Sequence, residues 1–156
     1  MSIEVDVSAF LNFAEAMGAA DDRVRAELLK AGNQVAQQGA QIAQSILASN
    51  GSIASGDLYN DITGRPAQMA GDTIIIEYGP NSEYPGTWVE KGRRPVSARP
   101  GGMLKFQIKG RGPVIFARSV RAAPARPFMK PSEARIRPIA TKMLGEAAMR
   151  AVEGMI

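Results

Sequence analysis

The chain has 156 residues and a net charge of +4, with 45% hydrophobic residues and neither cysteine nor histidine. That length suits one domain with a core of its own. The missing residue types exclude disulfides, thiolate chemistry, histidine bases and nearly every zinc or copper site.

Charge is unevenly placed. Residues 1–90 carry four basic against twelve acidic side chains, whereas residues 91–132 carry eleven basic ones and no acid. Residues 133–156 carry four basic and three acidic ones. Such asymmetry speaks of partners, not of fold. The acidic start, "MSIEVDVSAF", lacks the basic region of a secretory signal. No apolar run nears the roughly 18 residues of a membrane span, so a cytoplasmic origin and no membrane partner are expected.

Ser8 is a candidate N-cap for a short helix to Met17, interrupted at Gly18. Asp21 or Asp22 opens a longer one, with acids in its first turn. Val24, Leu28, Ala31, Val35, Gly39, Ile42 and Ile46 make a helical stripe over 21–48. Its small residues suggest close approach to a sheet or helix, in the core or at a subunit contact. Gly32 and Gly39 each weaken a helix by about 1 kcal/mol relative to Ala, so packing has to hold it.

The middle, 57–120, reads as β-rich. Residues 49–57 are a loop, Leu58 to Thr63 a short strand, and "GRPAQMAGD" a turn. "TIIIEYG" (73–79) is the clearest strand. "TWVEKG" gives one helical turn ended by Gly92, and "RRPVSARPGG" (93–102) a loop. "MLKFQIKG" alternates, with Leu104, Phe106 and Ile108 on one face, and pairs with "PVIFARSV" in a hairpin over 103–118. Phe106, Phe116 and Phe128 fall on apolar parity and are assigned to the core. "RAAPARP" is a second extended basic loop. A C-terminal helix spans 132–154, with Ile136, Ile139, Met143, Ala147, Ala151 and Met155 as its stripe. Pro138 starts or kinks it. The expected fold is α+β in one domain, 1–156: a small antiparallel sheet with a protruding hairpin, packed by a long N-terminal and a C-terminal helix.

"PGGM" and "GRGP" lack the setting of a phosphate loop and read as turns. Tyr84 and Trp88 set two aromatics beside the start of the basic run. Trp88 is either an anchor closing the core or an interface hot spot. The basic loops suit phosphate or an acidic protein surface.

Three segments in order carry a resemblance. They are "SGDLYNDI" (55–62), "EYPGTWVEKG" (83–92) and "APARPFMKPSEAR" (123–135), preceded by a long helix. Over roughly 20–150 the chain resembles the gene-product-ten-like family of tailed bacteriophages, which are tail-completion or neck proteins at the head–tail junction. Lys91 and Arg93 depart from its pattern, as do Ser132 and Glu133. The resemblance implies a structural virion protein, made in the host cytoplasm, without enzymatic activity, metal, cofactor or small-molecule substrate. It implies a homo-oligomeric ring, a hexamer first and a dodecamer second. The ring would meet connector or stopper proteins and tail-tube or tail-terminator proteins, with DNA passing through.

The expected contact residues are Tyr84, Trp88, Glu90, Arg93, Arg94, Arg99, Lys109, Arg111, Arg121 and Arg126. The expected contact is head to tail, the basic segment of one subunit meeting the acidic portion of the next, with Asp21, Asp22 and Glu27 as first candidates. The alternatives are a small nucleic-acid-binding protein using the 103–118 hairpin, and a histidine-free nuclease.

Overall fold

The computed structural model describes residues 1–16, 21–52, 56–107 and 113–153, with only the backbone described at Asp21 and over 83–85. It is α+β. A small antiparallel sheet lies under a long N-terminal helix and a C-terminal helix, and a basic arm of paired strands extends from this body.

The sheet is built on β4 (Thr73–Pro80), whose run of isoleucines favours extended backbone. Along one edge lies β1 (Ser2–Asp6), with Ile3 opposite Ile76 and Val5 opposite Ile74. Along the other lie β2 (Ile62–Gly64) and β3 (Gln68–Ala70) in tandem. Two of these strands depart from the sequence reading. β1 was not foreseen, although "IEVDV" alternates, because the segment is only five residues long. "GRPAQMAGD" contains β3, which doubles back on β4 as a hairpin with its turn at Gly71 and Asp72. Arg25 holds that turn by donating to the Gly71 carbonyl at 2.7 Å and to Asp72 Oδ1 at 3.2 Å.

Helix α1 (Ser8–Ala16) follows β1 directly. Its capping carboxylate is Asp6, which accepts from the Ser8 amide at 2.8 Å, so Ser8 is not the cap. That bond holds the Asp6 carboxyl below its usual range, as does a hydrogen bond from the Ser8 side chain. Helix α2 (Asp21–Ser49) is the spine. Val24, Leu28, Ala31, Val35 and Ile46 are buried as the stripe foretold, while Ile42 is only half-buried. The flank beside that stripe also contributes Ala36, Ala40, Ala43 and Leu47 to the core, because a second helix lies along it.

Gly39 explains how α2 reaches the sheet. A Cβ there would lie 2.8 Å from the Tyr78 ring, and one at Gly32 would lie 2.7 Å from Ile74 Cδ1. The helix gives up propensity at both positions to let β4 side chains close against its backbone.

That second helix is α5 (Met129–Glu153). It begins three residues before the expected Ser132 and carries Pro138 inside it, exposed and with no amide to offer Ala134. Its buried stripe runs through Ile136, Ala140, Leu144, Ala147 and Ala151, so Ile139 and Met143 sit at the margin. Met155 lies outside the described residues. Ser132 is the buried polar residue on this helix. Its hydroxyl donates to the Met129 carbonyl at 2.7 Å and meets the Tyr78 hydroxyl at 3.0 Å.

The expected strand 58–63 is helical for most of its length, forming α3 (Asp57–Asp61) before β2 begins. The single turn expected at 87–92 is a nine-residue helix, α4 (Glu83–Lys91), ended as foreseen by Gly92 at φ 75°. In the arm, the supposed loop 93–102 contains β5 (Val96–Ser97), paired with β8 (Ser119–Val120). The expected hairpin forms from β6 (Leu104–Phe106) and β7 (Ile115–Ala117). Ile108 lies outside the described residues.

Candidate interaction surface: the strap, the groove and the basic arm

Of the ten residues picked out from sequence, the seven whose side chains are described divide into a root and an arm. At the root, α4 is set on the body by Asp61, whose Oδ2 accepts from the Ser82 amide at 2.7 Å. This bond is the main reason the Asp61 carboxyl sits below its usual range. Gly92 then turns the chain out of the helix. A Cβ on it would lie 2.8 Å from both the Ala123 carbonyl oxygen and the Ala125 amide nitrogen. The strap 121–127 therefore crosses directly over Gly92. Arg93 and Ala123 exchange two backbone hydrogen bonds of 2.9 Å, and the Arg126 amide donates to the Val89 carbonyl at 2.8 Å.

Glu90 ties this crossing to α5. Its Oε2 accepts from the amides of Phe128 (2.7 Å) and Met129 (2.9 Å), and its Oε1 accepts from that of Lys130 (3.1 Å). These donors have no partner within a helix that is just beginning, and the helix dipole favours an anion there. Glu90 is thus a helix cap supplied from another element, an internal task not foreseen for it. Arg126 does the converse at the end of α2. Its guanidinium donates to the carbonyls of Asn50 and Gly51, each at 3.3 Å, where cations are favoured. Asn50 returns a bond from Nδ2 to the Pro127 carbonyl at 3.0 Å. Phe128, assigned to the core from sequence, is fully buried beneath this junction.

Trp88 does not close the core. It is 53% exposed and stands over an open groove of about 390 Å³ lined also by Ser52, Val89, Arg93, Pro124 and Arg126. The buried Ser52 hydroxyl at this groove has no hydrogen-bond partner among the described residues. The groove is apolar in its floor and cationic at its rim, which suits a protein segment carrying an acid. Among the described residues no three His, Cys, Asp or Glu side chains gather to hold a metal.

In the arm, Arg94, Arg99 and Arg121 are exposed. None of these, nor Lys105 or Arg118, has an acidic partner among the described residues. The structure brings Trp88, Glu90, Arg93 and Arg126 together and leaves Arg94, Arg99 and Arg121 spread along the arm. The side chain of Tyr84, and Lys109 and Arg111 entirely, lie outside the described residues.

The assignment of Phe106 and Phe116 to the core is overturned. They are 39% and 59% exposed, because the β6–β7 hairpin stands away from the body. In its register Lys105 is opposite Phe116 and Phe106 opposite Ile115, so each face presents aromatic surface. Met103, Val96 and Val114 are exposed beside them. The sequence held a signal for this. "VIFA" (114–117) is apolar at both parities, which a hairpin with one core face does not need.

No family model, curated protein or solved structure matches the chain. No described helix is long and apolar enough to cross a membrane.

Proposed function

We propose that the chain is a structural subunit of a tailed-bacteriophage particle, a tail-completion or neck protein that assembles with copies of itself into a ring at the head–tail junction. The observation that carries the reading is the arm. Its described cations Arg94, Arg99, Lys105, Arg118 and Arg121 have no acidic partner among the described residues, and it exposes Val96, Met103, Phe106, Val114 and Phe116 among them. Isolated two-stranded ladders are marginal in water, and apolar surface of this kind marks a protein contact. The order of the three motifs that resemble the gene-product-ten-like family points the same way. The ring would bind connector or stopper and tail-tube or tail-terminator proteins on its two faces, and needs no cofactor.

A small nucleic-acid-binding protein is the competing reading, favoured by the arm arginines that have no acidic partner among the described residues. Mass photometry at low and moderate salt separates the two. A ring held by apolar burial keeps its mass as salt rises. Phosphate binding instead falls steeply with salt, by orders of magnitude between about 50 and 200 mM for a protein making several phosphate contacts. A strictly monomeric protein that shifts a DNA fragment at low salt and releases it at moderate salt overturns the ring reading.

A further inference from the structure

The sheet has one face covered by α2 and one face open. On the covered face lie Ile3, Ile74, Ile76 and Tyr78, all buried. The alternate residues project the other way. Register places Glu4 opposite Ile75, Ser2 opposite Glu77 and Asp6 opposite Thr73, with Gln68 flanking Ile75 from β3. The open face is therefore a half-buried isoleucine in an acidic surround. Glu77 has Arg65 at 3.8 Å, and Asp6 caps α1. Glu4 stands exposed in the centre with no cation beside it among the described residues.

The arm carries the inverse pattern. Phe116 stands at the middle of β7 with Lys105 directly across from it, and Val114 and Arg118 flank the strand at its two ends. Val114 is 41% and Phe116 59% exposed. An apolar centre with a basic surround is thus presented by the same chain that presents an apolar centre with an acidic one.

We infer that the Lys105–Phe116 face of the arm of one copy packs on the open sheet face of the next, with Phe116 over Ile75 and Lys105 and Arg118 beside Glu4 and Asp6. The occupant is a second copy because both halves of the complement are in one chain. The two patches differ and lie on different elements, so the contact is heterologous and propagates round a ring. Like-on-like pairing would set cation against cation or acid against acid, which gives the contact its direction. The inference rests on the ring reading above. It moves the acidic partner from the start of α2 to β1. Glu27 there already has Lys30 at 4.0 Å.

The absence of cysteine from the chain gives a clean test. Phe116→Cys and Ile75→Cys proteins are mixed and oxidised, and the disulfide-linked products are separated by mass. The expected main product is the mixed dimer. Adding Glu4→Lys to the Ile75→Cys chain should lower its yield about threefold, the scale of one exposed charge pair. Lys105→Glu in the other chain should restore it. Gln68→Cys, exposed on the same face, repeats the test if Ile75→Cys fails to fold. If mass photometry shows rings but the product is the Phe116→Cys homodimer, or no mixed dimer forms, the docking is wrong and the ring reading stands. If the parent protein shows no self-association at all, both fall. If DNA must be present before any mixed dimer appears, the arm meets phosphate first and the docking is wrong.

Discussion

Replacing Glu90 by alanine removes the acceptor of three backbone amides at once. The Phe128 amide belongs to a residue with no exposed surface, so water reaches it only through the space that the shortened side chain leaves. A buried donor left unpaired costs about 1–3 kcal/mol. The amides of Met129 and Lys130 lie nearer solvent and can be partly rehydrated. Losing a helix cap costs about 1 kcal/mol, with a smaller amount for the anion at the dipole. Together these give about 3 kcal/mol for Glu90→Ala. Glu90→Gln keeps one acceptor but loses the charge, and charge-assisted bonds are roughly twice as strong as neutral ones, so about 1–1.5 kcal/mol is expected.

Urea unfolding followed by helical circular dichroism measures both changes. With a slope near 2 kcal/mol per molar, Glu90→Ala should lower the midpoint by about 1.5 M and Glu90→Gln by well under 1 M. A Glu90→Ala midpoint within about 0.3 M of the parent would refute the capping argument. Loss of self-association by Glu90→Gln at unchanged stability would instead make Glu90 a contact residue, as first expected from sequence.

Three further substitutions separate body from surface. Trp88→Ala should cost about 1–2 kcal/mol in thermal or urea unfolding, below the ~3–5 of a buried large aromatic, with Trp88→Phe milder; a loss at the upper end would mean that the ring is an anchor after all. Gly39→Ala gains about 1 kcal/mol of helix propensity but drives a methyl into the Tyr78 ring, so a net loss of stability is expected; a stabilised variant would mean that α2 does not lie so close to β4. Burial raises the Tyr78 hydroxyl above its usual 10.0, against the opposing effect of its hydrogen bond with Ser132. Unfolded tyrosine ionises first, so this contribution is intact below pH 10 and is lost as pH rises through the folded value. Tyr78→Phe should flatten the fall in stability between neutral pH and pH 11, and an unchanged slope would show that Tyr78 does not set it.

How much of this was legible in the sequence follows from where each residue's partners lie. The α2 stripe, the β4 isoleucines and the Gly92 stop were readable because period, β-branching and a missing Cβ act locally. The second buried flank of α2 was not, because Ala36, Ala40 and Ala43 look neutral until α5 lies against them. Glu90 and Arg126 looked like surface charges for the same reason. Their partners are backbone groups about 40 and 75 positions away, and no local pattern marks a carboxylate as another helix's cap.

The same two residues bear on why the arm sits on the body as it does. Both ends of the segment 93–121 leave from one place: Arg93 and Ala123 are bonded to each other, and the strap beyond is fixed by Arg126 to the end of α2 and by Glu90 at the start of α5. An excursion with joined ends can vary in its outer part without disturbing the core. It is also held in a fixed direction at its base, so that a contact made far out, at Phe116, is made in one orientation. Charge need not then supply the affinity, since exposed ion pairs contribute only about 0–1 kcal/mol each. In the proposed ring the root would supply direction, the arginines and lysines would exclude the wrong pairing, and the aromatic surface on both faces of the hairpin would supply the buried area. This division of labour explains an acid-free basic segment with phenylalanines in it better than phosphate binding alone. A purely electrostatic ligand would leave Val114 and Phe116 in water.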